Sequence, residues 1–331
     1  MYGGRELIPP ASTNVTGEVV AITACRDYSE ANVDRAIQRQ FSMLGTDTII
    51  KPGDRVLIKP NLIAPRPPDH PAQTSPAVIL ATARALIDLG AKPFVSDSPA
   101  WNSLNSCIKA LELEEPLKKL NVPVKPFRKY KLKKIAGTHL KIATIALEAD
   151  RIINLPKLKT HQQLGATFAV KNMFGCVCGK QKAVKHFSVG KSDYRFCKML
   201  LGIYELLAPA FTIIDSVVAM EGKGPISGTP KSLGLLIGGV DPIACELICS
   251  QITKLNPEKL PIIQTAKKLG VYCDNPEMID VIGDNYTDLI CDDFQPSEMI
   301  PLDFSLARVC KSMAKQIFFL ARSAFTGKSR L

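Results

Sequence analysis

The sequence predicts an α/β fold: a mostly parallel central sheet flanked by helices, followed by a basic C-terminal amphipathic helix. Three observations predict it. Short apolar runs alternate along the chain with stretches of helical spacing. Those runs are apolar at odd and even positions alike, as strands covered on both faces must be. Polar, loop-forming residues follow successive runs, which is the pattern of repeated strand-to-helix connections.

Each element follows from local chemistry. Val19–Ala24 is a strand, and Glu30–Leu44 has helical spacing. The turn Lys51-Pro52-Gly53-Asp54 leads into a strand at Val56–Lys59. Ser75 is an N-cap, Pro76 fits the first helical position, the apolar pattern runs through Ile87, and Gly90 ends the helix. Pro93–Ser96 is the third strand, and Asn102–Leu113 is helical. Arg151–Leu155 is a strand, Tyr194–Leu207 a helix and Phe211–Asp215 a strand. Leu233–Ile237 is another strand, Asp241 and Pro242 open a helix to Ile252, and Met278–Ile282 is the last strand. This divides the chain into an extension (1–16), an α/β domain (17–295) and a tail (296–331).

The net charge of +11 on 331 residues is concentrated. Lys118–Lys134 holds seven Lys and Arg128 with no acid, and Lys157–Lys198 holds eight Lys and Arg195 against Asp193 alone. Phe304–Leu331 adds six basic side chains and no acid. Such zones attract phosphates, carboxylates, anionic lipid or nucleic acid, unless they are simply solvated faces. The first residues lack the apolar core of a signal peptide. The oily region Met199–Met220 is broken by Glu205, Pro209 and Asp215. Ten cysteines without a regular framework suit reduced thiols. The expectation is a cytoplasmic protein, peripheral to a membrane if its tail docks there.

In sheets of this class ligands bind beyond the carboxyl ends of the strands. Lys59 and Asn61 follow the second strand, and Asp97 follows the third. Lys157, Lys159 and His161 follow the fourth and alternate, so continued extended chain puts all three on one face. Three cationic groups on one face clamp an anion, and in an enclosed site their repulsion favours a neutral amine or imidazole that acts as a base. Lys171 and Asn172 sit in an apolar run, with Gly175 expected at a helix C′ position. Asp215 ends an apolar strand and is the best carboxylate, and Glu221 lies in a glycine-rich loop. His161 and His186 would transfer protons or ligate a metal, together with the C-x-C pair Cys176 and Cys178. Cys245 and Cys249, four apart on an apolar helix, read as core. Neither GxxxxGK[ST] nor, after the first strand, GxGxxG is present, so motifs do not support ATP or dinucleotide use.

The segments IKPNL (58–62), TSPAVI (74–79), SDSP (96–99), INLPKLKTH (153–161), KNMFG (171–175), MEGKGP (220–225) and GGVDPIA (238–244) together resemble the DUF362 family. The resemblance implies the α/β fold across residues 17–285 but carries no settled biochemical role. Many members carry ferredoxin-type C-x-x-C-x-x-C clusters; this sequence has none, and Cys178 stands where the family pattern has proline. The run His161, Lys171, His186 also resembles the nickel-pincer lactate racemase family, in which such groups hold a nickel-bearing cofactor and move protons on a hydroxy acid. Here Ala169-Val170-Lys171-Asn172 replaces that family's Gly-Gly-Ala-Lys.

The leading expectation is an enzyme, an isomerase or oxidoreductase, acting on a small anionic substrate, carboxylate or phosphate, in an electropositive cleft. His161, Lys171, His186 and Asp215 would be catalytic; Lys59, Asn61, Asp97, Lys157, Lys159, Asn172 and Glu221 would bind substrate. The alternative is a protein with a metal ion, iron–sulfur cluster or nickel-type cofactor on His161, His186, Cys176 and Cys178, serving a redox partner. In the tail, Val309, Met313, Ile317, Leu320 and Ala324 recur at helical spacing among basic residues, a pattern suited to an anionic membrane and equally to docking on its own domain or on a partner. A third reading is a nucleic-acid- or anionic-membrane-binding module; specific nucleic-acid binding is not expected, because aromatic residues are not interleaved with the basic clusters.

Overall fold

The computed structural model describes residues 18–179, 192–273 and 275–300. The 1–16 extension, His186 and the predicted tail helix lie outside them.

In chain order the described elements are β1 (Glu18–Ala24), α1 (Glu30–Met43), α2 (Thr46–Ile49), β2 (Arg55–Pro60), α3 (Pro76–Asp88), β3 (Lys92–Val95), α4 (Leu104–Ala110) and α5 (Glu114–Lys119). Then come β4 (Tyr130–Ile135), β5 (Thr138–Ala143), α6 (Thr144–Leu147), β6 (Arg151–Leu155), β7 (Lys157–His161), β8 (Gly165–Thr167) and α7 (Ala169–Asn172). The chain continues with α8 (Asp193–Leu207), β9 (Phe211–Glu221), β10 (Thr229–Gly239), α9 (Pro242–Ile252), α10 (Pro261–Leu269) and β11 (Ile279–Gly283). The capping signals hold: Ser75 accepts from the Ala77 amide with Pro76 at the helix start, and Asp241 accepts from the Ile243 and Ala244 amides.

The main sheet has the order β11-β1-β10-β9-β6-β2-β3, with β7 alongside β9 and β8 beyond it. Most pairings are parallel, and β10 runs antiparallel to both β1 and β9. Side chains alternate between two cores. Val56, Ile58, Ile153 and Ile213 face α1, α3 and α4, whereas Leu57, Ile152 and Ile214 face α8, α9 and α10. Burial on both faces accounts for the unbroken apolar runs. Cys245 and Cys249 are core residues, as expected.

Three details differ from the sequence reading. Because β10 is antiparallel, Gly239 and Asp241 lie at the opposite end of the sheet from the other strand ends. The strand expected to stop at Asp215 runs on to Glu221, because its second half pairs with both β7 and β10. Residues 130–143 form a separate two-stranded hairpin, β4–β5. No described helix is long and apolar enough to cross a membrane.

Candidate functional site

The chain leaves β6 at Leu155, passes Pro156 and resumes as β7, which is buried throughout. The switch lets β6 pair with the start of β9 and β7 with its middle, with Lys157 opposite Asp215. Lys157 and Lys159 therefore project inward two residues apart, next to the ends of β2 and β3.

Each lysine has a different partner. Lys59 is fully buried, with Nζ 2.8 Å from an Asp97 carboxylate oxygen and 2.7 Å from the Pro60 carbonyl. Asp97 also accepts from the Leu62 and Ser98 amides, at 2.9 and 2.7 Å. Lys157 Nζ lies 2.9 Å from Asp215 and donates to the Tyr28 hydroxyl at 2.6 Å. Tyr28 in turn donates to Asp215 at 2.7 Å, and the Ser75 amide donates to the other Asp215 oxygen at 2.8 Å. Among the described residues Lys159 donates only to neutral oxygens, Asn61 Oδ1 and the Ala72 carbonyl, the latter at 2.7 Å. Among the described residues no carboxylate forms an ion pair with it.

Charge and burial separate the amines. Burial pushes Lys157 below the ordinary lysine range, against the opposing pull of Asp215. Lys159 is pushed well below it by burial and by the positive charges of Lys171, Lys157 and Lys59, with Asp97 opposing. The Tyr28 hydroxyl is pushed well above its ordinary value by burial and by Asp215.

An amide network joins the Lys59–Asp97 pair to Lys159. Asn172 donates to Asn154 Oδ1 at 2.8 Å and to the Lys59 carbonyl at 3.1 Å, and its oxygen accepts from Asn61 at 3.0 Å. Asn154 donates to the Ala169 carbonyl and to Thr212, each at 3.0 Å. The network ties the α7 turn, which carries Lys171, to the ends of β2 and β6. The loop 61–75 closes over Lys159, held by Thr74, which donates to the Leu155 carbonyl at 2.6 Å and accepts from the Asn61 amide at 2.8 Å. At the place where the sequence leads one to expect an electropositive cleft, the described residues enclose a buried polar interior. A surface groove of about 530 Å³ lies elsewhere, beside Ile108, Leu117 and Val122.

The profile of the family described as a domain of unknown function (DUF362) matches residues 56–251. That is more than half of the chain and spans the cluster from Lys59 to Asp215. The chain belongs to the DUF362 family. It is also 36% identical over 303 residues to the thylakoid-associated protein sll1697 of Synechocystis sp. (strain ATCC 27184 / PCC 6803 / Kazusa), covering 90% of this chain and 94% of the relative. Among solved structures it is similar to the lactate racemase apoprotein from Thermoanaerobacterium thermosaccharolyticum, with a TM-score of 0.47 and 15% identity over 72% of this chain. The chain spans 57% of the length of that racemase.

Within this DUF362 fold the expected residues separate. Lys59, Asn61, Asp97, Lys159 and Asn172 form one connected cluster, and the Lys157–Asp215 pair lies beside it, with the Lys157 charge acting on Lys159. Lys171 joins it through its charge at Lys159. His161, two residues along β7, is buried, and its Nδ1 accepts from the Gln163 amide at 3.1 Å, so the neutral ring carries its proton on Nε2. Glu221 stands at the far end of β9, accepting from the Gln295 amide at 2.8 Å. Cys176 and Cys178 are buried among core residues such as Leu140, Ile142 and Phe174. Among the described residues no three His, Cys, Asp or Glu side chains gather as a metal site.

Gly175 is not a left-handed C′ residue; it lies in a 3₁₀ turn, Met173–Cys176. Its missing side chain has another cause: a Cβ there would stand 2.4 Å from Asp97 Oδ1 and 2.7 Å from Lys59 Nζ. Tyr28, Asn154, His70 and Glu246 lie at or beside this site without belonging to the set expected from sequence. Tyr28 is the aromatic residue just past β1, and Asn154 is the polar residue between Ile153 and Leu155 in the buried part of β6. His70 lies in the closing loop, held below its ordinary value by burial first and then by Arg66 and Lys159, with Asp69 opposing. Glu246 is a lone acid in the apolar helix α9, buried behind α7, where it accepts from the Val170 amide at 2.9 Å. Burial raises its carboxyl to about 8.

Proposed function

We propose that this DUF362 protein is an enzyme that takes a small carboxylate- or phosphate-bearing substrate at the Lys159 end of the cluster. The observation that carries this is the contrast among three buried lysines. Lys59 and Lys157 are each neutralised by a carboxylate, whereas among the described residues Lys159 meets only neutral oxygens in a field of other cations. An anion entering beneath the 61–75 loop would supply the missing negative charge and draw a proton onto the amine. Once it has taken up that proton beside the bound anion, the same amine is suited to donate it to a carbon or oxygen next to the anion. Lys171 would bind or polarise the anion. His161 would exchange protons with it, and the Tyr28–Lys157–Asp215 set would hold β7 in register.

Calorimetric titration with inorganic phosphate and with small 2-hydroxy and 2-oxo acids, in buffers of different ionisation enthalpy, tests the reading. Binding with proton uptake near neutral pH, lost in Lys159→Met, is expected. Failure of every such anion to bind, or uptake unchanged in Lys159→Met, would overturn it.

A second reading concerns location. The Synechocystis relative is described as thylakoid-associated, which favours peripheral membrane association for this chain, with the basic tail 304–331 as the contact foreseen from sequence.

A further inference from the structure

The β4–β5 hairpin is outside the lysine cluster, and neither the proposed reaction nor the tail accounts for it. Its inner face is fixed: Ile135, Leu140 and Ile142 are completely buried, and Ile142 bridges to Val177. That anchoring holds its outer face as a platform. On this face Leu132 lies directly opposite Lys141, and Lys134 opposite His139. Leu132 is 63% exposed and Tyr130 46% exposed, two residues apart on the same side of β4.

The surrounding charge is mostly of one sign; Lys131, on the opposite face of β4 from Leu132, is paired with Glu148 at 2.8 Å. Residues 118–147 contain eight lysines, Arg128 and no acidic residue. Lysines along an exposed strand edge discourage strand-to-strand association, which explains some of the charge. It does not explain an aliphatic side chain held out in water between them.

We propose that the outer face of the β4–β5 hairpin docks on an anionic lipid bilayer, with Leu132 and Tyr130 entering the headgroup–acyl boundary and the lysines meeting lipid phosphates. Charge complementarity selects an anionic surface, and the exposed leucine selects one with an apolar layer under the charge. Nucleic acid fits less well. Leucine offers no stacking face, and the Tyr130 ring is covered by the Lys141 amine, 4.5 Å from its centre. This surface stands independently of the anion site proposed above.

The test is co-sedimentation of the full chain with vesicles of phosphatidylcholine containing 30 mol% phosphatidylserine, against pure phosphatidylcholine. Binding to the anionic vesicles only is expected, weakened at least tenfold by Leu132→Glu and about fivefold for each of Lys134→Ser and Lys141→Ser. The unfolding midpoint of Leu132→Glu should match the parent, since the site is exposed. Leu132→Trp in a Trp101→Phe background should be quenched by brominated lipid. Three results would overturn the proposal: no binding to anionic vesicles, binding unchanged in Leu132→Glu (which assigns the contact to another segment such as the basic tail), or preferential binding of a single-stranded oligonucleotide.

Discussion

Lys59 Nζ and Asp97 Oδ1 meet at 2.8 Å in the buried interior, directly against the Cα of Gly175. A buried ion pair is weak evidence for stability, but removing one partner leaves a charge with no compensation. Asp97→Ala should therefore destabilise the fold by roughly 3–5 kcal/mol. Gly175→Ala should act in the same direction, because its methyl would occupy the space that the pair fills. Urea unfolding of both variants measures this; a midpoint for Asp97→Ala within error of the parent would contradict it.

Tyr28 joins β1 to the site. Its hydroxyl accepts from Lys157 and from the Val218 amide and donates to Asp215. Tyr28→Phe keeps the ring, which lies 5.2 Å from the Lys157 amine, and removes all three hydrogen bonds. Leaving such buried groups unpaired costs about 1–3 kcal/mol. The loss should appear in the unfolding midpoint. If the hydroxyl also serves the reaction, the rate should fall further than the stability does.

What was legible in the sequence follows from what is local. Ser75-Pro76 and Asp241-Pro242 cap helices whatever the rest of the chain does, so those starts are readable. The alternation of Lys157, Lys159 and His161 is a property of extended chain, and it places the lysines correctly. Strand direction is not local. Nothing in Leu233–Ile237 announces that β10 returns antiparallel, which is what removes Asp241 from the site's end of the sheet. The partner of each lysine is not local either: Asp97 and Asp215 look alike as residues after apolar runs, and no spacing shows that Lys159 has no ion-paired acid among the described residues. The glycine at 175 reads as a helix end because its contacts, Asp97 and Lys59, are remote in sequence.

Lys159 should leave a signature in stability against pH. Its amine is held well below the ordinary lysine value of 10.5 in the folded protein. Between that lowered value and 10.5 the unfolded chain binds the extra proton, so the group's contribution to stability increases as pH rises. Subtracting the curve of Lys159→Met from that of the parent isolates it. The difference should climb by up to about 1.4 kcal/mol per pH unit inside that window and flatten above 10.5. Parallel curves would show that the amine is protonated at its ordinary value.

Glu246 should give the opposite slope, and for a reason tied to the site. Its carboxyl accepts from the Val170 amide, at the start of the short turn that carries Lys171 and Asn172. A helix start leaves backbone amides needing acceptors, and either a carboxyl or an amide oxygen can serve. Burial raises the carboxyl from 4.5 to about 8. Between those values the folded protein holds the proton that the unfolded chain releases, so this contribution is complete below about 4.5 and is lost as pH rises toward 8. Glu246→Gln keeps the acceptor and removes the titration. The parent-minus-variant stability should therefore fall from pH 5 to about 8 and stay level above it. Urea midpoints at pH 5, 6.5, 8 and 9 read this directly. A flat difference would mean that the carboxylate is ionised behind α7, with the negative charge left beside the Lys171 turn and available to balance the cations of the cluster.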